Sequence, residues 1–116
     1  MSSLTSPKVV AQRRKEAAFQ RAVEDFAQKL GWYDWHVRNA RQSKAGFPDL
    51  MLVKDRVVWM ELKVYYDNGK AGVVHGEQLR FHEMLRAAGQ EVYVVYDDED
   101  GWEEITRVLS DGRLTP

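Results

Sequence analysis

The sequence predicts one α/β domain in which a mixed central β-sheet is flanked by helices. At 116 residues the chain is long enough to bury a single core without disulfides. Two segments carry apolar residues at the spacing of an amphipathic helix, and four shorter segments are apolar and rich in valine and aromatic residues, as strands are. Their order along the chain is α-β-β-β-α-β. A sheet with a helix on each face is the simplest arrangement that buries the apolar side of every element.

The composition is typical of a folded protein. Hydrophobic residues make up 44% of the chain and there are four tryptophans, which favours a folded globule over an intrinsically disordered chain. There is no cysteine, so disulfides and zinc–thiolate sites are excluded, and a reducing cytosol fits. No apolar run approaches the roughly 18 residues of a membrane span, and residues 1–7 lack the apolar core of a signal peptide. We therefore expect a cytoplasmic protein.

The first helix is predicted at residues 9–30, after a flexible tail at 1–8, so that residues 9–116 form the single domain. It ends at Gly31, a residue type that often terminates helices. Its apolar stripe follows the i, i+3, i+4, i+7 spacing and consists of Phe19, Ala22, Val23, Phe26 and Leu30. Because Glu16 lies one helical turn before this stripe, it is the acidic residue of the helix that we expect to face inward.

The predicted strands in the first half of the chain carry unexpected charges. A strand at residues 32–37 is followed by a polar, basic loop at 39–47, and two apolar strands then flank the short turn Lys54–Arg56. Side chains alternate between the two faces of a strand. Glu61 and Lys63 therefore share one face of the third strand, about 7 Å apart.

The length of the turn decides which residues face each other across the second and third strands. If the turn has three residues, Val53 pairs with Val57, and Asp49 then lies opposite Glu61 with the Cβ atoms about 5 Å apart. A two-residue turn would instead place Asp49 on the other face of the sheet. A site that uses both carboxylates therefore predicts the three-residue turn.

A second helix is predicted at residues 77–88, where it is followed by Gly89. Its apolar stripe consists of Phe81, Met84, Leu85 and Ala88. Gln78 precedes this stripe by one turn and is expected to face the sheet near the start of the helix. Glu77 is almost as well placed, so periodicity alone does not separate the two.

The remaining segments complete the predicted domain. Residues 64–76 are irregular and contain three glycines, and residues 91–96 form a strand. This strand has few polar residues, which predicts burial on both of its faces. Residues 101–109 are compatible with a short terminal helix.

Two carboxylates and a lysine in apolar strands require a chemical reason, because charged groups are rarely buried unless they pair or bind a metal. Neighbouring carboxylates repel each other unless a cation lies between them. Mg²⁺ prefers carboxylate and other hard oxygen ligands, and it supports phosphodiester hydrolysis. Asp49 and Glu61 are therefore candidate ligands, with the backbone carbonyl of Leu62 as an additional ligand.

Three further side chains are candidates for the same site. Lys63 is expected to position the attacking water or to neutralise charge that develops on the phosphate. Glu16 is expected to complete the metal site, directly or through a water molecule, and a solvated acid at the start of the helix is the alternative. Gln78 is expected to orient water or contact the phosphate, although a hydrogen-bonding role at the start of its helix is the alternative.

These motifs resemble the signature of the PD-(D/E)XK nuclease superfamily. The matching residues are Pro48-Asp49 followed by Glu61-Leu62-Lys63, and the predicted element order is similar to the restriction-endonuclease-like core of that superfamily. Within it, the chain resembles the virus-type replication–repair nuclease (VRR-NUC) family. That resemblance extends from Glu16 to about Tyr96 and includes the segments 16–23, 46–49, 61–63 and 86–89, together with Gln78.

The family resemblance implies a metal-dependent nuclease. It makes Glu16, Asp49 and Glu61 acids of a site for Mg²⁺ or Mn²⁺, with Lys63 as the catalytic lysine and Gln78 as a supporting residue. Small stand-alone members are homodimeric endonucleases that act on branched DNA such as four-way (Holliday) junctions, which implies a bacterial or phage source. Larger eukaryotic members contain the domain within a monomeric flap nuclease.

One segment departs from the family pattern. The link at residues 64–76 includes Tyr65-Tyr66 and three glycines, whereas family members often have a compact stretch here. A substrate loop and a dimer contact are both compatible with this segment.

Basic residues around these motifs are candidates for DNA binding, since phosphate contacts dominate affinity for nucleic acids. The net charge is −1, so any basic surface must be local. The candidates are Arg38, Arg41, Lys44, Lys70 and His75, and ordinary surface charge is the alternative for them. The three histidines have no metal-ligand spacing, and we interpret His36 and His82 as structural or surface residues.

Three functions are compatible with the sequence. The first is a Mg²⁺-dependent, structure-selective DNA endonuclease that acts as a homodimer. The second is a catalytically silent DNA-binding module. The third is a flap, nicking or restriction-type nuclease, although 116 residues leave little room for a sequence-recognition domain.

Overall fold

The computed structural model describes residues 7–37 and 46–110, with only the backbone of residues 7–14. It contains three helices and four strands in these ranges: α1 Pro7–Lys29, β1 Tyr33–His36, β2 Leu50–Val53, β3 Val57–Lys63, α2 Gly76–Ala87, β4 Glu91–Tyr96 and α3 Glu99–Ser110. The predicted order of helices and strands is confirmed, with α3 as a full terminal helix. The helix α1 begins within the segment predicted as a tail, of which residues 1–6 lie outside the described ranges.

The four strands form one mixed sheet in the order β1-β2-β3-β4. The pairs β1–β2 and β2–β3 are antiparallel, and β3–β4 is parallel, with α2 as the crossover. Val53 pairs with Val57, and Leu50 pairs with Met60. The three-residue turn Lys54–Arg56 is therefore confirmed, and continuing this register by one residue places Asp49 opposite Glu61.

Helices cover both faces of the sheet, as predicted. On one face α1 packs against β1 and β3, and α3 packs against β4. The buried apolar cluster on this face includes Phe19, Val23, Ala27, Leu50, Leu52, Val58, Met60, Ile105, Val108 and Leu109. On the other face α2 packs through Phe81, whose ring lies 4.6 Å from that of Phe47, which in turn contacts Trp59. Glu61 and Lys63 share the face of Trp59, so the charged pair lies beneath α2.

The inward faces of the two long helices differ from the predicted stripes. On α1, Ala27 is buried and Ala22 is exposed, because the buried row continues from Phe19 at every fourth residue. On α2, Met84 is 62% exposed and Ala88 is also exposed, whereas His82 is buried.

The reason for the difference in α2 is a polar inward row. Residues 78, 81, 82 and 85 are the less exposed positions of the helix, and they follow the i, i+3, i+4, i+7 spacing. Two of them are the polar residues Gln78 and His82. The prediction considered apolar residues only, so it assigned the wrong side of α2 as the inward face.

The strand β4 is less buried than its sequence predicts, because it lies at the edge of the sheet. Val92 and Val95 are buried, and they point to opposite faces. The other four residues of the strand are only half-buried. The prediction of burial on both faces is therefore confirmed only for Val92 on one face and Val95 on the other.

The segment between β3 and α2 is a tight hairpin, not an irregular link. Tyr66 N–H donates to Lys70 O at 2.8 Å, and Gly72 N–H donates to Val64 O at 3.0 Å. Two side-chain contacts anchor the hairpin on either side. Asp67 accepts from Lys15 Nζ of α1 at 2.8 Å, and the Tyr65 hydroxyl donates to Asp98 at 2.6 Å.

None of the helices in the part of the chain that the structure describes is both long enough and apolar enough to cross a membrane.

Gly46 fixes the distance between the loop that carries Asp49 and the start of α2. Its φ of 98° is in the left-handed region, and a Cβ atom at this position would lie 2.6 Å from the backbone oxygen of Glu77. Both features require glycine. The backbone of the loop can therefore approach the first turn of α2 closely.

We expect Gly46→Ala to lower the free energy of unfolding by about 2 kcal/mol or more, because it adds backbone strain and a steric overlap with backbone atoms. Chemical denaturation monitored by circular dichroism measures the change. Gly76→Ala is the matched control, since no atom lies within 4 Å of a Cβ there. Equal stability of the two variants would contradict this account of the loop.

Candidate active site

A cleft of about 430 Å³ opens where α1, the β3 strand end, the hairpin and the start of α2 meet. Its lining residues are Glu16, Gln20, His36, Val37, Asp49, Glu61, Leu62, Lys63, Val64, Tyr66, Gly72 and Gln78. All five side chains that the sequence proposes for catalysis are among them. The chain therefore brings residues from four separate segments to one concave surface.

Asp49 lies immediately before β2. At this position its carboxylate, and not a backbone carbonyl, accepts a hydrogen bond from the backbone of β3. Its Oδ2 accepts a hydrogen bond from Leu62 N–H at 2.7 Å, and its backbone oxygen accepts from Val37 N–H at 2.9 Å. Burial raises the pKa of Asp49, the Leu62 N–H and the Lys63 charge oppose this, and the charge of Glu16 adds to the rise. The Asp49 carboxylate is thus held in place, and its charged form is disfavoured.

Glu61 is the most deeply buried charged group of the cleft, at 2% exposure. Its Oε2 accepts from Gln78 Nε2 at 2.9 Å and forms an ion pair with Lys63 Nζ at 3.2 Å. Burial raises the pKa of Glu61 to about 7, and the negative charge of Asp49 contributes to the rise. Lys63 and Gln78 offset these effects only in part.

Gln78 connects Glu61, Lys63 and the first turn of α2. Its Oε1 accepts from Lys63 Nζ at 3.3 Å and from His75 N–H at 3.0 Å. The structure therefore separates the two candidates at this helix start, because Gln78 reaches the site whereas Glu77 is exposed. It also shows that the hydrogen-bonding role at the helix start and the contact with the site coexist in one side chain.

Glu16 lines the cleft but remains exposed on α1. Its charge reaches Asp49, whose pKa it raises. Within residues 7–37 and 46–110, no three histidine, aspartate or glutamate side chains come close enough together to form a metal site by themselves. Glu16 thus belongs to the same cleft as Asp49 and Glu61.

The predicted DNA-binding residues are only partly described. Arg38, Arg41 and Lys44 lie outside the described residues. Lys70 is exposed on the hairpin and His75 is exposed at the start of α2. Neither of these two lines the cleft.

Three residues near the site that have titratable side chains were not predicted from the sequence as part of it. His36 and Tyr66 line the cleft, and His82 approaches Glu61, with Nε2 3.9 Å from Oε1. The position of His82 was detectable, because it lies four residues after Gln78 and therefore on the same side of the helix. Tyr66 depends on the hairpin fold, which has no clear periodic signal in the sequence.

The residues of the cleft fit a hard divalent cation. Two neighbouring carboxylates both have raised pKa values, and the charge of Asp49 contributes to the rise at Glu61. Glu61 Oε1 is buried and has no hydrogen-bond partner in the described part of the chain. A cation bound to these oxygens would stabilise both charges, which the protein alone stabilises incompletely.

The raised pKa of Glu61 predicts how the metal-free protein responds to pH. In the unfolded chain this group titrates near 4.5, and in the folded protein near 7. Its contribution to folding is therefore most favourable below about pH 4.5 and is lost as the pH rises through 7. In EDTA at pH 8, we expect Glu61→Gln to be more stable than the unsubstituted protein, with a free energy of unfolding that is about 1 to 3 kcal/mol higher.

Urea denaturation at pH 8 and at pH 4 measures this difference, which should nearly vanish at the lower pH. Glu103→Gln, an exposed substitution on α3, is the control and should change stability little at either pH. A Glu61→Gln variant that is less stable than the unsubstituted protein at pH 8 would show that the ionised carboxylate favours folding.

Comparison with known proteins gives a match in structure only. The sequence matches no known family model and no curated protein. A solved structure described as a "VRR_NUC domain" aligns with 85% of this chain and 98% of its own length, with a TM-score of 0.63 and 23% sequence identity. The fold expected from the resemblance is therefore confirmed: this chain has the restriction-endonuclease-like fold of a VRR-NUC domain.

Proposed function

We propose that this protein is a metal-dependent endonuclease that hydrolyses phosphodiester bonds in DNA. The observation that carries the proposal is the pair of opposed carboxylates, Asp49 and Glu61, beside Lys63 in one cleft. The fold of a VRR-NUC domain supports the same reaction class.

Mg²⁺ is the proposed cofactor, with Mn²⁺ as its substitute. Asp49 and Glu61 would hold it, with the Leu62 carbonyl and Glu16 as further ligands, directly or through water. When bound, a divalent cation neutralises phosphate charge and makes water more acidic. Oxygen donors of this kind match the preference of Mg²⁺.

The side chains of the cleft would bind and orient the substrate phosphate. Lys63 Nζ, already paired with Glu61 Oε2 and Gln78 Oε1, is placed to donate a hydrogen bond to a phosphate oxygen or to the attacking water. Its positive charge would stabilise the charge that develops on the phosphate during attack. Gln78 restricts both Glu61 and Lys63, so that little reorganisation is needed when substrate binds.

Branched DNA, such as a four-way junction, is the proposed substrate, and the proposed active form is a homodimer. A two-fold symmetric dimer presents two identical clefts, which suits paired cuts in two strands. The basic residues that would hold the DNA backbone are Lys70 and His75, together with Arg38, Arg41 and Lys44. A bacterial or phage-infected cell is the proposed setting.

A catalytically silent DNA-binding module is the second candidate function. Among the described residues, no three histidine, aspartate or glutamate side chains form a group that could hold a metal ion. A cleft of that composition can bind a phosphate through Lys63 without cutting it. Flap, nicking and restriction-type cleavage are alternatives that differ in the DNA structure or DNA sequence selected.

We expect the purified protein to cut a labelled four-way junction in Mg²⁺ and in Mn²⁺, and to cut nothing in EDTA. Denaturing gels with junction, flap and linear duplex substrates in parallel measure both activity and preference. Failure to cut any of these with either metal would refute the nuclease. Metal-independent binding without cleavage would instead support the binding module.

We expect Lys63→Ala to lower the cleavage rate by about 100-fold or more, because it removes the cation nearest the proposed phosphate position. Lys54→Ala is the matched control. Lys54 lies on the β2–β3 turn at the opposite end of these strands, where its Nζ donates to Leu30 O. Single-turnover rates of both variants test the assignment, with circular dichroism as a check of folding. A Lys63→Ala variant that folds and cuts at the normal rate would contradict it.

A further inference from the structure

Two buried polar atoms without hydrogen-bond partners face each other in the structure. They are Glu61 Oε1 and His82 Nε2, which are 3.9 Å apart. Both side chains are almost fully buried. Buried polar groups without partners are rare and costly in folded proteins, so a facing pair of them requires an explanation.

The position of His82 on α2 places it against the Glu61 carboxylate. It follows Gln78 by four residues, so both side chains lie on the same side of the helix. Gln78 donates to Glu61 Oε2, whereas His82 faces Oε1. The Glu61 carboxylate thus faces two consecutive turns of α2, with a different polar side chain opposite each of its oxygens.

The proton on the imidazole decides whether this contact is favourable. Burial lowers the pKa of His82, and the charges of Arg86 and Lys63 lower it further, which favours the neutral ring. A neutral imidazole carries its proton on one nitrogen only. If Nε2 lacked the proton while Glu61 is ionised, two acceptor atoms would face each other in a buried space. If Nε2 carries the proton, a movement of about 1 Å completes a hydrogen bond to Oε1.

We propose that His82 is a positioning residue, whose Nε2–H is directed at Glu61 Oε1 and keeps Oε2 turned toward Gln78 and Lys63. The effect of His82 on metal binding rests on the proposed function, whereas the tautomer of His82 and its contact with Glu61 do not. Hydrogen bonds from outer residues orient metal-binding side chains in many proteins, and their loss commonly weakens metal binding about 10- to 100-fold.

The first test is the tautomer of His82 in the full, metal-free chain. Long-range ¹H–¹⁵N correlation spectra assign the protonated ring nitrogen. At pH 8, above the pKa of Glu61, we expect the proton on Nε2. Protonation of Nδ1 alone would overturn the proposal, whatever the activity of the protein.

The second test measures Mn²⁺ binding by calorimetry for two substitutions of His82. In His82→Leu no N–H faces Oε1, so we expect binding to weaken about 10- to 100-fold, while the thermal unfolding temperature does not fall. In His82→Gln an amide N–H replaces the imidazole N–H, and we expect most of the affinity to be restored. Glu83→Gln, an exposed substitution on the same helix, is the control.

The outcomes separate the positioning role from a purely structural one and from the proposed function. Normal Mn²⁺ binding by the His82→Leu variant would overturn the positioning role. Loss with leucine and recovery with glutamine would support it. If the leucine variant fails to fold, the glutamine variant and the tautomer decide the question. If the unsubstituted protein binds no Mn²⁺, the proposed function fails. The tautomer measurement then remains as the test of the contact between His82 and Glu61.

Discussion

The burial of the Glu61 carboxylate is the constraint on which the rest of this structure depends. A side chain that prefers to be charged lies within the sheet with an acid beside it, and its pKa rises to about 7. Lys63, Gln78 and the Leu62–Asp49 hydrogen bond reduce the cost of this arrangement without removing it. Folding retains an electrostatic cost that a bound cation would relieve, and this is the physical basis of the proposed metal site.

The surrounding architecture brings the partners of Glu61 together from distant parts of the chain. The register of β2 and β3 places Asp49 opposite Glu61. The close approach at Gly46 fixes the first turn of α2 against the loop that carries Asp49. From that helix, Gln78 reaches the carboxylate. The hairpin after β3 closes the cleft near Lys63 and is tied to α1 through Lys15 and Asp67.

Local rules were sufficient to predict much of this arrangement from the sequence. Strand alternation places Glu61 and Lys63 on one face, and the length of the turn sets the register of Asp49. Both depend on backbone geometry that the sequence specifies directly. The order of the elements follows from apolar periodicity, and the structural match to a VRR-NUC domain agrees with it.

The features that the sequence did not predict depend on tertiary contacts. The apolar residues of α2 suggested an inward Met84, which is exposed, and overlooked His82, which is buried. Apolar periodicity fails there because the facing surface is the polar Glu61, and a polar helix row satisfies it better. The hairpin at residues 64–75 forms through backbone hydrogen bonds and anchoring contacts to α1 and Asp98. No local pattern encodes those contacts.

The pKa of Glu61, with and without Mg²⁺, is the measurement that tests the central claim most directly. Carboxyl ¹³C chemical shifts followed over a pH titration report the ionisation of this side chain. The account predicts a pKa of about 7 in metal-free protein and a clear decrease when Mg²⁺ is added. A pKa near the ordinary glutamate value in the absence of metal, or a raised pKa that Mg²⁺ does not lower, would contradict it.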